Sequence, residues 1–130
     1  MKVDETMPLN VLGGPLQICG LDPKTGYFRD GQCKTRADDS GLHVVCAQVN
    51  DPFLQYSRER GNDLITPQPA YGFPGLKTGD RWCLCATRWL EALHADVAPQ
   101  VFVQATHARA LEVIELDKLL LHALDLPQNA

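Results

Sequence analysis

Gly72–Trp89 reads GFPGLKTGDRWCLCATRW, and the order of residue types along it decides the fold. Gly72, Pro74, Gly75 and Gly79 hold the first half out of regular structure, because proline fixes its own φ and glycine favours turns. Arg81–Ala86 then reads as a short strand. Thr87 can cap a helix over about 88–95 that turns Trp89, Leu90 and Leu93 to one face, with Ala98-Pro99 as its stop. A strand passing straight into a helix predicts an α+β domain. The same 18 residues also hold an Asp-Arg pair, two tryptophans and a Cys-x-Cys. A core alone has no use for that mixture, since buried charge costs desolvation, so the run reads as the wall of a site.

Upstream, residues 61–80 (GNDLITPQPAYGFPGLKTGD) contain three prolines and four glycines. A loop of that length inside a domain is disproportionately often functional. Asp51-Pro52 predicts a helix start, Asp51 as cap and Pro52 at the first position, and Gly61 predicts the stop. That helix, about 52–60, would bury Phe53, Leu54 and Ser57. His43–Val49 (HVVCAQV) reads as a buried strand. Residues 10–42 are punctuated by Gly13-Gly14-Pro15, Asp22-Pro23, Thr25-Gly26, Asp30-Gly31 and Asp38-Asp39-Ser40-Gly41, which leaves space for short extended pieces and no helix.

Downstream, Val101–Thr106 and Ala110–Ile114 read as two strands of a hairpin around His107-Ala108-Arg109. Leu116, Leu119, Leu120, Ala123 and Leu124 follow the i, i+3, i+4, i+7, i+8 spacing of a last helix, with Pro127 past its end. The organisation expected is a loose arm over 1–9, one α+β domain over 10–126 and a tail over 127–130. Its sheet would be mixed or mainly antiparallel, with about three helices and long Pro/Gly-rich loops.

The 130 residues are 45% hydrophobic and 22% charged, with a net charge of −4, the balance of an ordinary soluble protein. Arg58–Arg60, the densest basic spot, is interrupted by Glu59, so no basic stripe exists to meet nucleic-acid phosphates. No apolar run approaches the roughly 20 residues that span a membrane, and MKVDETMPLN lacks the apolar stretch of an export signal. These features predict a cytoplasmic protein whose five cysteines are thiols.

Several strings resemble one bacterial family, domain of unknown function 2237: NVLGGPLQIC (10–19), DPKTGYFRDGQCKT (22–35), GLHVVCA (41–47), GNDLITPQP (61–69) and GFPGLKTGDRWCLCATRWLEA (72–92). The likeness runs in order over about residues 10–120. It implies a bacterial domain about the size of this chain, and no activity, ligand or catalytic residue comes with it.

Chemistry must therefore be read from the residues. Arg81 and Arg88 offer planar donor forks for carboxylate or phosphate, Trp82 and Trp89 offer apolar walls, and Asn62, Asp63, Thr66 and Asp80 supply polar groups nearby. Together they predict a pocket for a small anionic ligand, formed by loop 61–80 and the strand–helix 81–92. The plainer reading makes Asp63 or Asp80 a pin for the loop and the tryptophans core.

A second class is a thiol-dependent enzyme with Cys85 or Cys83 as nucleophile and His107 or His43 as base, in acyl or thiol-exchange chemistry. Cys85 would stand at the positive end of the following helix, where negative charge is favoured. A third is a metal-binding or structural interaction protein. Cys46, Cys83 and Cys85 are its candidate ligands, with Cys19, Cys33, His43 or His107 completing the shell, although the Cys-x₂-Cys knuckle is missing. Plain buried thiols are the simplest alternative. No cofactor is required. His94 and His122 read as solvated, and the acidic turns lack the alternating carboxylates of a calcium loop.

Overall fold

The strand expected at 43–49 is β1, His43–Gln48, buried from Val44 to Ala47. It is the middle of a three-stranded antiparallel sheet of order β2-β1-β3, with β2 at Arg81–Cys85 and β3 at Gln100–Val101. Three α-helices accompany it: α1 (Asp51–Glu59), α2 (Ala86–His94) and α3 (Leu116–Leu121). This computed structural model describes residues 8–127. Most of the expected arm and tail therefore lie outside the described residues. Pro8 and Leu9 lie within them and are tied in, since the Pro8 carbonyl accepts from Leu16 N and the Leu9 carbonyl from Ala108 N.

Register divides the sheet into two faces of different chemistry. Val45 stands opposite Leu84 and Ala47 opposite Trp82, whereas Cys46 stands opposite Cys83, and alternation places the two sets on opposite sides. On the first side, Val45, Ala47 and Leu84 join Phe53, Leu54, Trp89 and Leu119 in an apolar core. On the second, Cys46 and Cys83 join Cys19, Cys33 and Ala105, with Phe102 packed against them.

The sulfurs of that second face are paired as Cys19–Cys46 and Cys33–Cys83, leaving Cys85 as the free thiol. This corrects the expectation of five thiols. The pairs join residues far apart in sequence, so only the fold brings them within disulfide reach. Each pair ties the irregular segment 19–33 to a strand. Between the two ties the chain turns tightly: Gly26 has φ +104°, and a Cβ there would collide with the Gln32 carbonyl. The buried Thr25 hydroxyl accepts from Cys83 N at 2.8 Å.

Three boundaries differ from expectation. Asn50, not Asp51, caps α1, its side chain accepting from Phe53 N at 2.9 Å; Phe53, Leu54 and Ser57 are buried as expected. Cys85, not Thr87, is the cap residue of α2, which starts at Ala86. α3 stops at Leu121 because the chain then joins the sheet edge: Val101 N donates to His122 O, and Leu124 N donates to Val101 O.

The expected hairpin over 101–114 is replaced by β3 and two 3₁₀ turns, Val103–Ala105 and Ala108–Glu112. The hydrogen bonds explain why. The Asp125 carboxylate accepts from Val103 N and Gln104 N at 2.7 and 3.0 Å, and His107 N donates to Val44 O of β1. With these donors satisfied elsewhere, no ladder forms between the two runs.

Candidate functional site

β2 is an edge strand, and a cavity of about 450 Å³ lies against it, within the size range of small-molecule sites. β2 contributes Trp82 to Cys85, α2 contributes Arg88 and β1 contributes His43; Asn62, Asp63, Leu64, Gln68, Tyr71 and Phe73 come from the long loop, and Gly26, Tyr27 and Arg29 from the segment held between the two disulfides.

The loop wall is built by local bonds. Asp63 accepts from Ile65 N and Thr66 N through Oδ1 and from the Thr66 hydroxyl through Oδ2. These bonds, the Thr66 hydroxyl first, hold its carboxyl below the usual carboxylate range. The Asn62 carbonyl accepts from the buried Ser57 hydroxyl at 2.7 Å, which ties the loop's start to α1. A Cβ on Gly75 (φ +81°) would collide with the Ile65 carbonyl, so glycine permits the loop's two limbs to meet.

Of the expected ligand-binding residues, Asn62, Asp63, Trp82 and Arg88 line the cavity, and three lie elsewhere. Asp80 accepts from Lys77 N and Lys77 Nζ in its own turn. The Arg81 guanidinium lies 4.0 Å from the centre of the Phe102 ring, on the cysteine face. Trp89 is fully buried in the core, its indole N–H donating to Pro99 O at 3.0 Å.

The charges facing the cavity are Arg29 and Arg88 against the single carboxylate Asp63, with the His43 imidazole beside them. Arg88 is held by the Arg60 carbonyl and by Glu91. Arg29 lies over Trp82, 5.1 Å from its ring centre, and among the described residues it has no carboxylate partner.

The candidate thiols and imidazoles are also sorted. Cys83 and Cys46 are in disulfides with other partners, so neither offers a free thiol beside Cys85. This corrects both the Cys83 nucleophile and the Cys46/Cys83/Cys85 metal set. His107 lies away from the cavity; its Nδ1 accepts from Arg109 N at 3.0 Å, and burial, followed by the charge of Arg109, pushes the imidazole's pKa down. His122 packs edge-on against Trp89, with Nδ1 2.9 Å from Lys118 O.

His43 is the imidazole that lines the cavity together with the free thiol. It is the register partner of Cys85 across β1–β2, at a β-bulge that shifts the register between His43 and Val45 and so re-aims the side chains there; both residues line the cavity. Its Nδ1 stands 2.7 Å from Oδ1 of Asp39, whose side chain is 1% exposed. Asp39 also accepts from His43 N and the Thr35 hydroxyl. Burial alone would raise its pKa, and the bonds from His43 and Thr35 outweigh that and hold it low. A carboxylate on Nδ1 fixes the proton there and leaves Nε2 as the basic nitrogen. The ring is flanked by Tyr27, stacked at 6.2 Å between centres, and by Gly41, where a Cβ would lie 2.8 Å from Cε1.

Cys85 is the cap residue of α2, with Sγ 3.1 Å from the Thr87 hydroxyl, where first-turn N–H groups favour an anion. Asp39, Tyr27 and Arg29 escaped the sequence reading. The Asp39 signal was the Asp-x₃-His spacing onto the first residue of a strand.

The chain belongs to the family described as an uncharacterized protein conserved in bacteria, domain of unknown function 2237, whose model matches residues 9–123. No curated protein matches the sequence. Among the described residues no helix is long and apolar enough to cross a membrane.

Proposed function

We propose that this family member binds a small anionic molecule in the cavity along β2 and attacks it with the Cys85 thiol, with His43 as base and Asp39 as the group that orients it. The observation that carries the reading is that His43, bonded to Asp39, and the free Cys85 are register partners that both line that cavity. Acyl transfer is the reaction type that fits. His43 Nε2 takes the thiol proton as sulfur bonds to the carbonyl carbon. The proton passes to the leaving group, and water then releases the acid from the thioester. Arg29 and Arg88 supply the preference for a negatively charged substrate.

The test mixes the protein with two activated aryl esters, one bearing a terminal carboxylate and one a methyl group. Expected are an acyl adduct located at Cys85 by mass mapping, faster phenol release from the carboxylate ester, and loss of that preference in Arg29→Gln. His43→Gln should slow acylation at least tenfold. Equal release by wild type and Cys85→Ser, with no adduct, would sink the reading.

A cytoplasmic location is also a proposal. It requires the Cys19–Cys46 and Cys33–Cys83 pairs to be reduced in the cell, because that compartment keeps thiols reduced. Rapid acid quenching followed by alkylation of intact cells counts them: five free thiols support the location, and one free thiol removes it.

A further inference from the structure

The second face of the sheet poses a question that the cavity does not answer. Four sulfurs meet there, from positions 19 and 33 of the irregular segment, from β1 and from β2, and all four residues are at most 2% exposed. The Sγ atoms of Cys19, Cys33 and Cys46 lie within 4.8 Å of one another, and Cys83 is bonded to Cys33. A tetrahedral four-thiolate centre with bonds of ~2.3 Å needs sulfurs roughly 3.8 Å apart. Three of the donors thus already lie near that spacing, and Cys83, held next to them by its bond to Cys33, has to turn inward once that bond opens.

We infer that, once its two disulfides are reduced, this cluster is a closed four-cysteine site for a zinc-like divalent cation. The site adjoins the cavity, since Cys83 lines both, and it does not depend on the chemistry proposed there.

The donor set selects the metal. Four thiolates with no oxygen ligand favour zinc over magnesium, calcium or manganese. With all four positions supplied by protein, the site is structural and not catalytic. A metal held by four thiolates carries a net charge of −2, which an apolar interior would penalise. Arg81, exposed at the start of β2, brings a positive charge onto Phe102, the ring packed against the cluster, and solvent screening limits what it returns. Phe102 and Ala105 otherwise close the site with apolar surface.

The conversion balances with a phosphine reductant. Each disulfide and one water yield two thiols while the phosphine becomes its oxide. Metal binding then releases four protons from the four thiols. In either state the same four residues hold segment 19–33 to the sheet, so the wall of the cavity contributed by Gly26, Tyr27 and Arg29 is kept in place.

The experiment is a cobalt(II) titration of full-length protein reduced with a phosphine under argon. Expected are one equivalent bound, the visible and near-ultraviolet bands of tetrahedral thiolate coordination, and displacement by zinc. Cys85→Ser should retain the bands and Cys46→Ser should lose them.

Because Cys46→Ser removes a buried group and can fail to fold, a second measurement uses wild type alone. In zinc-loaded protein, iodoacetamide should modify Cys85 and spare the other four, and a chelator should expose them. The inference is overturned if the reduced protein binds no cobalt, if oxidised protein binds as much, or if all five thiols alkylate alike with and without zinc.

Discussion

The two halves of this molecule are held together by different means. Residues 43–59 and 81–101 place Val45, Leu84, Phe53, Leu54, Trp89 and Val101 in one apolar core, each at most 2% exposed. Residues 8–42 contain only isolated bridges and put only Val11 among the buried residues of that core. They are anchored chiefly by two disulfides, by backbone bonds such as Val11 N to Thr106 O, and by side-chain bonds such as Cys83 N to the Thr25 hydroxyl. The first half is positioned by burying surface, which is forgiving of detail. The second is positioned by a few specific links, each of which matters singly. The cavity lies where the two meet, so its geometry depends on both kinds of support.

The sharpest way to break this contrast is to empty the core. Trp89→Ala removes a fully buried indole and strands the Pro99 carbonyl that accepts from it; it should cost about 4 kcal/mol, and urea denaturation should show the whole chain unfolding together. Removing the Cys33–Cys83 link with a double serine variant comes next, at about 2–4 kcal/mol. Hydrogen exchange should then rise first over residues 20–32 and leave α1 and α2 protected. If α2 loosened equally, the halves would not be supported independently.

Thr25→Val should cost about 1–2 kcal/mol, because Cys83 N is left buried without its acceptor. Its clearest readout is weaker binding or slower acylation in the cavity, since Gly26 and Tyr27 follow directly.

The smallest expected effect is a pH dependence. His107 has its folded pKa lowered by burial and then by Arg109, so the unfolded chain takes up its proton first. Its contribution is complete above the unfolded value of about 6.5. It is lost as pH falls below that value and levels off once the folded imidazole also protonates. Urea midpoints between pH 7.5 and 5 should fall in wild type and fall less in His107→Gln.

What could be read in advance follows the same division. β1, α1 and the strand–helix at 81–94 were legible because buried apolar periodicity and capping residues are local signals, as in Phe53, Leu54 and Ser57. Trp82, Arg88, Asn62 and Asp63 were placed near a pocket because the loop and edge strand are neighbours in sequence. The disulfides were not legible, since nothing local says that Cys19 meets Cys46 across 27 residues. The expected hairpin over 101–114 failed because Asp125, some twenty residues on, takes the donors of Val103 and Gln104. Asp39 looked like one more turn carboxylate until the fold buried it against His43.

The chain order of the two sulfur links has one further consequence. Cys19 joins Cys46 and Cys33 joins Cys83, so the spans interleave instead of nesting. A single backbone cut anywhere between Cys19 and Cys83 therefore falls inside at least one span, and a cut between Cys33 and Cys46 falls inside both. A protease that nicks the exposed stretch around Gln68 to Tyr71 severs the peptide without separating the pieces. Oxidised, the nicked chain keeps its full mass; reduced, it divides in two.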